Sequence, residues 1–550
     1  MKTTPFKRLW ELVRIERTDI ASIYFYAILS GLVQLSLPLG IQTIIGYILG
    51  ATMVTSIYIL IVLVVLGVAV VGFMQINQMK IIETIKQKLF TRYSLEFAEA
   101  IPNFDSLKTD GYYLPEKVNR FFDILNVQKG LSKLLLDVPV ASIQIIFGLM
   151  LLGIYHLAFF VFGSLLLLVL WLVFYRTGSK GVNSSLQESM AKYKVAAWLE
   201  EMARVINPFK NNRDSPFNLQ KTDAYVSQYL EAKTTHFRVL LVQYQVLVFL
   251  KVAITAGMLT VGTVLLLDQK LNIGEFIAIE IVILMVINAV EKLIINLDSV
   301  YDVVTGLEKL ATVTEPLGEQ QGAIVLEQKA KGIALEMKDF YFHFSNGKPV
   351  FEGVNLAIQP GTITTITTSS KTVLLQTLAG YYSPQAGALL INGIPMSHYN
   401  LTSFRQQIGM YLNQKDIFIG TVMENILMGR LHIIPDHITE LAIKLEIQDI
   451  ITSLPAGFQT TISPNGRNLE GRHIRAILLL RALVHTPRLL LLESPWDGLT
   501  PHIRTTIIAY LQSIKERTTI VITSDEPNLK EIGDFHIYLN HGESSPNKPI

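Results

Sequence analysis

The chain has 550 residues, half of them hydrophobic and only 17% charged. That is too apolar for a soluble enzyme of this size and too long for one domain. A formal net charge of +2 points to no nucleic-acid partner, and the absence of cysteine excludes disulfides and thiolate metal sites.

The first stretch, MKTTPFKRLWELVRIERTD, is charged and amphipathic rather than a cleavable signal peptide. It predicts a helix over residues 1–17 lying on the cytoplasmic face of a membrane. Six apolar runs come next, near Ile20–Ile45, Val54–Gln75, Leu134–Tyr155, Leu157–Tyr175, Val239–Leu267 and Ile273–Ile295. Each is about long enough to cross a bilayer, which takes roughly 20 helical residues. Runs such as VTSIYILIVLVVLGVAVVGF have no polar face, as a buried helix of a soluble protein would need at its surface.

The connectors set the orientation. Ile41–Ser56 and Tyr155–Leu157 carry no Lys or Arg, and DQKLN carries one, whereas the N-terminal stretch and the two long connectors are rich in both. Excess positive charge marks the cytoplasmic side, so both termini are expected there. The long connectors, about 76–133 and 176–238, keep helical periodicity and are each broken once, at NFDSLKTDGYYLPE and NPFKNNRDSPFNLQ. Helices that run on into the cytoplasm and turn back there would give this pattern, with the turns as contact points for the C-terminal part of the chain.

Ionisable residues near the membrane stand out. At 1.5 Å per residue, Lys251 and Glu291 reach similar depths, roughly 25–29 Å from the DQKLN turn, and are expected to pair near the cytoplasmic boundary. Glu280, only about 12 Å deep by the same rise, has no obvious partner and is expected to face a transport cavity.

The transmembrane region is thus expected over 18–310. TEPLGEQQGAIVLEQKAKG reads as a linker, placed at 311–331. Beyond it, KDFYFHF, GTITTIT, RLLLLE and TTIVIT alternate with amphipathic stretches, which predicts an α/β domain with a mainly parallel sheet over 332–542. The last residues, 543–550, read as a frayed tail.

The stretch TITTITTSSKTVLLQTLAG has the outline of a phosphate loop, with a β-branched strand, a polar turn, Lys371-Thr372 and an apolar helix, but the turn has no glycine. Together with its further landmarks, the chain resembles an ABC exporter half-transporter over nearly its whole length, closest to the exporters of type I secretion systems. Phe344 in FHF takes the place of the aromatic that stacks on adenine. Gln414 in NQKDIFIGTVMENILMG takes that of the Q-loop glutamine, LEGRHIRAILLLRAL that of the signature motif, PRLLLLESPWDGLT that of Walker B and the D-loop, and TTIVITSDE that of the switch strand. The resemblance implies a membrane α-helical six-span exporter domain followed by an α/β P-loop-type nucleotide-binding domain. It further implies ATP and Mg²⁺ as cofactors and a composite site shared between two such halves.

Motif by motif, the chemistry is depleted. Thr365 and Ser370 hold the glycine positions of G-x-x-x-x-G-K-[ST], and a β-branched residue resists the positive φ such a turn requires. The turn is also about three residues shorter than the family's. Lys371 still offers charge, and Thr372 and Glu493 offer oxygens to Mg²⁺. Ser494 replaces the glutamate that polarises the attacking water, and a serine hydroxyl cannot act as that base. Ser524 replaces the switch histidine. The signature reads Leu469-Glu470-Gly471-Arg472-His473. Glu470 would face the γ-phosphate, and two anions at roughly 4 Å cost several kcal/mol when partly desolvated. Arg472 is expected to block close approach rather than to pair with an anion.

No catalytic residue is assigned. Three functions remain open: an inner-membrane export component with weakened or lost hydrolysis, an active exporter with atypical motifs, and a non-transporting membrane scaffold or regulator. Implied partners are a second half-transporter, identical or different, the lipid bilayer, and a periplasmic adaptor with an outer-membrane channel.

Overall fold

A computed structural model describes residues 5–34, 36–49, 55–111, 113–315, 318–327, 331–540, 543–544 and 548–549. The chain divides into two compact units, residues 1–103 with 112–317, and residues 104–111 with 318–550.

The first unit is helical. A short helix, α1 (Pro5–Ile15), precedes α2 (Arg17–Gln34), α3 (Ser36–Leu49) and α4 (Thr55–Ala100). Leu35, between α2 and α3, lies outside the described residues. The next elements are α5 (Ser106–Thr109), which belongs to the second unit, and then α6 (Leu114–Asn119), α7 (Asp123–Tyr155) and α8 (Leu157–Arg204). The unit closes with α9 (Ile206–Asn211), α10 (Phe217–Leu267), α11 (Ile273–Ile295) and α12 (Leu297–Thr314). Among the described residues, six helical stretches are long and apolar enough to cross a membrane, at the six places the sequence indicates.

Local chemistry fixes the turns that precede α8 and α11. Asn272 accepts from the Glu275 N–H at 2.8 Å while Glu275 accepts from the Asn272 N–H at 2.8 Å, a reciprocal cap that starts α11 directly after DQKL. His156 starts α8 by accepting from the Ala158 N–H at 3.2 Å. The helices then run well past a bilayer's thickness. The 51 residues of α10 span about 75 Å at 1.5 Å per residue.

The second unit is α/β. Its strands are β1 (Leu335–His343), β2 (Pro349–Ile358), β3 (Ile363–Thr368), β4 (Ala386–Ile391), β5 (Ile394–Pro395), β6 (Ile408–Tyr411), β7 (Gly420–Thr421), β8 (Thr461–Ile462), β9 (Leu489–Glu493), β10 (Thr519–Thr523), β11 (Phe535–Asn540), β12 (Glu543–Ser544) and β13 (Lys548–Pro549). Its helices are α13 (Lys371–Leu378), α14 (Leu401–Arg405), α15 (Val422–Leu427), α16 (Pro435–Lys444), α17 (Gln448–Thr452), α18 (Gly471–Leu483) and α19 (Pro501–Ile514). The central sheet runs β12-β11-β3-β10-β9-β6, and β11, β3, β10, β9 and β6 are mutually parallel. β9 and β10 are buried along their whole length, as their LLLLE and TIVIT sequences require of strands covered on both faces. A smaller antiparallel sheet, β2-β1-β4-β5, lies beside it.

Two expectations about boundaries change. α12 continues to Thr314, so helix occupies the start of the stretch read as linker; of the remainder, 316–317 and 328–330 lie outside the described residues. Within the expected tail, Glu543–Ser544 and Lys548–Pro549 pair antiparallel with β11 instead of fraying, because β11 would otherwise present an open edge; residues 545–547 and 550 lie outside the described residues.

The turn of the first long connector, Phe104–Gly111, is built into the second unit. Asp105 caps α5 by accepting from the Leu107 and Lys108 N–H groups at 3.0 and 3.2 Å. Leu107 packs against the same apolar core as Phe344 and Tyr382, and Asp110 accepts from the Ser345 N–H at 3.3 Å.

Candidate functional site

All six residues of β3 are Ile or Thr, and the two strands flanking it hold each of them in extended backbone. The strand therefore runs to Thr368, and only Ser369 and Ser370 separate it from α13. Thr365 corrects the sequence frame. It lies in mid-strand, fully buried, opposite Ile522 on one side and His536 on the other. Its hydroxyl donates to the Phe535 carbonyl at 3.1 Å and lies 2.8 Å from His536 Nδ1. It is not a loop residue. Ser370 has φ −107°, on the ordinary side of the map, and its N–H donates to Thr368 Oγ1 at 3.3 Å.

The polar groups at the start of α13 are engaged within the domain. The Lys371 ammonium forms an ion pair with Asp525, just beyond β10. The Thr372 hydroxyl points at both Glu493 oxygens, at 2.8 and 2.9 Å. Glu493, at the end of β9, is buried and also accepts from the Asn413 N–H at 3.3 Å. Its extra methylene relative to aspartate carries the carboxylate onto the threonine. The ammonium and the hydroxyl at the start of α13 thus both have carboxylate partners within the domain.

Ser494 is buried and holds φ +46°, a left-handed conformation uncommon for residues other than glycine. Its N–H donates to the Thr523 carbonyl at 2.8 Å, which ties the end of β9 to β10. Ser524 is buried, and its hydroxyl accepts from the Glu526 N–H at 3.3 Å. Gln414 is exposed in the bend after β6. Phe344 is half-buried, with its ring edge-on to Phe342 at 5.4 Å and to Tyr382 at 5.9 Å.

The signature region opens α18. Glu470 precedes the helix and Gly471 is its first residue. Arg472 pairs with Glu470 at 2.8 Å. The pair joins opposite charges two residues apart at the exposed helix start. His473 is buried; its Nδ1 accepts from the Glu470 N–H at 3.1 Å, and its Nε2 lies 3.2 Å from Ser453 Oγ. That pattern sets the tautomer, with the proton on Nε2. Burial holds its pKa below the usual histidine value, ahead of the opposing pull of Glu470.

In the first unit, Lys251 Nζ lies 2.5 Å from Glu291 Oε2, and Glu280 is exposed on α11. Sequence reasoning overlooked Asp525, Asn413 and Tyr382. Asp525 had a signal, an acid next to the residue in the switch position; the other two act through backbone or packing and had none.

The family model described as ABC transporter matches residues 351–497, from β2 to just past β9, and carries the implication of ATP binding. The ATP-dependent lipid A-core flippase of Hahella chejuensis is 31% identical over 214 residues, 38% of this chain and 36% of the flippase. The transport/processing ATP-binding protein ComA of Streptococcus pneumoniae is 24% identical over 459 residues, 78% of this chain and 62% of ComA. The matched stretches thus span between about a third and three fifths of these relatives. A solved bacterial Atm1-family ABC exporter with ATP bound superimposes with a TM-score of 0.84 at 14% identity, covering 97% of this chain and 96% of the other. The fold is that of an ABC exporter: six membrane helices followed by a nucleotide-binding-type α/β domain.

Proposed function

We propose that this chain is one half of a dimeric ABC-type export component of the inner membrane, with both termini cytoplasmic and with weakened or lost ATP hydrolysis of its own. One observation carries the reading. β3 passes into α13 through two residues, with Lys371 held by Asp525 and Thr372 by Glu493. Phosphoryl transfer needs positioning and charge stabilisation together, and Ser494 also leaves the general-base position without an ionisable group. The turn Phe104–Gly111 of the first long connector is part of the second unit, as the reading of the connector turns as contact points expects. The scarcity of Lys and Arg in the short turns between spans supports the orientation.

The natural partner is a second copy or a competent half-transporter. In a mixed dimer the partner's intact phosphate loop would face this chain's Glu470–His473 stretch, and that composite site carries the residual turnover. A periplasmic adaptor and outer-membrane channel complete the type I secretion form of the reading. Affinity purification of the tagged full chain from its native membrane tests it. The expected result is a stoichiometric second half-transporter subunit and loss of one export activity on deletion; a monomer whose deletion leaves every export readout unchanged would overturn it.

A further inference from the structure

The first unit contains a cavity of about 290 Å³ lined by α2, α3, α4, α7 and α11. Its walls are apolar, with Val33, Leu37, Val68 and Met285 among them, and no lining residue carries a charge. Set into this wall are Gln34, Gln144 and Ser36. The Gln144 amide donates to the Gln34 carbonyl across the two helices. Counting from the helix ends at Ile48, Tyr155 and Ile273, Gln34, Gln144 and Met285 lie about 17–21 Å deep at 1.5 Å per residue. In a hydrocarbon core about 30 Å thick, that is close to mid-depth.

A carboxamide offers two N–H donors and a carbonyl with two lone pairs. The mutual bond uses one donor of Gln144 and one lone pair of Gln34. Gln34 keeps its NH₂ and Gln144 its carbonyl, side by side, in surroundings where an unmatched polar group is costly. Gly67 lets α4 come this close. A Cβ there would lie 3.0 Å from Ser36 Oγ and 3.5 Å from a Val33 methyl.

We propose that this cavity binds an uncharged amide flanked by apolar groups, the chemistry of a peptide bond between apolar residues. The Gln34 NH₂ meets the ligand carbonyl and the Gln144 carbonyl meets the ligand N–H, while the Val, Leu and Met side chains take the flanking hydrocarbon. Charged ligands are disfavoured because the lining offers no countercharge at this depth. This assigns a cargo class to the export reading and rests on it for its biological meaning, although binding itself does not depend on transport.

The chain has no cysteine, so Met285→Cys creates a unique attachment point for an environment-sensitive fluorophore. The labelled full chain, reconstituted in lipid nanodiscs, is titrated with N-acetyl-leucyl-leucinamide, and separately with zwitterionic leucyl-leucine. The expected result is a saturable spectral shift with the neutral diamide, at least about tenfold tighter than with the zwitterion. Gln34→Leu with Gln144→Leu should weaken diamide binding about tenfold, the order expected for losing a hydrogen-bonded pair. Gln42→Leu, which removes a carboxamide bonded to Tyr155 outside the cavity, should leave it unchanged. Equal binding of diamide and zwitterion by the labelled chain with both glutamines intact overturns the inference without relying on any glutamine variant. Undiminished diamide binding by the double variant overturns it as well. Loss of export on deletion of the chain, together with no diamide binding, would leave the export reading standing and remove only this site.

Discussion

Lys371→Ala separates a working phosphate site from a remnant. In a domain that hydrolyses ATP through its loop lysine, this substitution abolishes turnover. Here it should change nothing measurable, because on the proposed reading the unsubstituted chain already runs at background. A typical enzyme turns over about 10 times per second. Loss of a positioned general base, as at Ser494, costs about 10²–10⁴ in rate. Loss of oriented backbone donors costs a further 10²–10³ for each one, by analogy with oxyanion sites. Even the milder product puts kcat near 10⁻³ s⁻¹. The substitution should also spare the fold. Its partner Asp525 is 76% exposed at the side chain, so the lost ion pair is worth less than about 1 kcal/mol. The assay is phosphate release by purified, membrane-reconstituted protein with Mg²⁺ and ATP, alongside the Lys371→Ala form. Mg²⁺-dependent hydrolysis above about 0.1 s⁻¹ that disappears in the alanine form would refute the reasoning and make this an active exporter with atypical motifs.

Reporter fusions should place Gln269 outside and Asp110 and Asp214 inside; the reverse pattern would invert the topology. The equivalent fusion at Ala51 is also expected outside, although that residue lies beyond the described ones. Acid should destabilise the second unit through His485. Its Nε2 lies 3.0 Å from the Ile408 carbonyl, and burial pushes its pKa down to about 4. The folded value is depressed, so the neutral ring's contribution is complete above about pH 6.5 and is lost as pH falls toward 4, by at most about 3 kcal/mol. His485→Gln should flatten that part of a thermal-melt pH profile, and an unchanged slope would remove His485 as its cause. Lys251→Ala should cost about 1–3 kcal/mol by leaving Glu291 uncompensated, and adding Glu291→Ala should restore most of it. Additive losses in a thermal-unfolding double-mutant cycle would show that the pair is not coupled.

The membrane half was legible because its signals are long. Six runs of about 20 apolar residues survive any error of a few positions at their ends, and capping pairs such as Asn272–Glu275 mark where the turns must fall. The α/β half was legible as a class for a similar reason, with LLLLE and TIVIT reading as fully covered parallel strands. Range is what the sequence concealed. Asp525 meets Lys371 and Asn413 meets Glu493 across strand ends far apart in the chain; the acid beside the switch position hints at the first contact, and no local pattern announces the second.

The misplacement of Thr365 has a sharper cause. A gapless motif frame treats a lost glycine as a substitution inside a loop of unchanged length. The run ITTITT says otherwise, because six consecutive β-branched residues favour continued strand until something breaks it, and the first residues able to do so are the two serines before Lys371. The glycines were not exchanged in place; the turn between Thr368 and Lys371 is shorter than the frame assumes, so the frame's first glycine position falls inside the strand. Restoring function by putting glycine at Thr365 and Ser370 is therefore the wrong repair. Thr365→Gly would remove a buried side chain from the middle of β3, together with its contact to His536, and would destabilise the sheet without creating a phosphate loop. A repair needs residues inserted between Thr368 and Lys371, together with a change at Asp525 that releases the lysine.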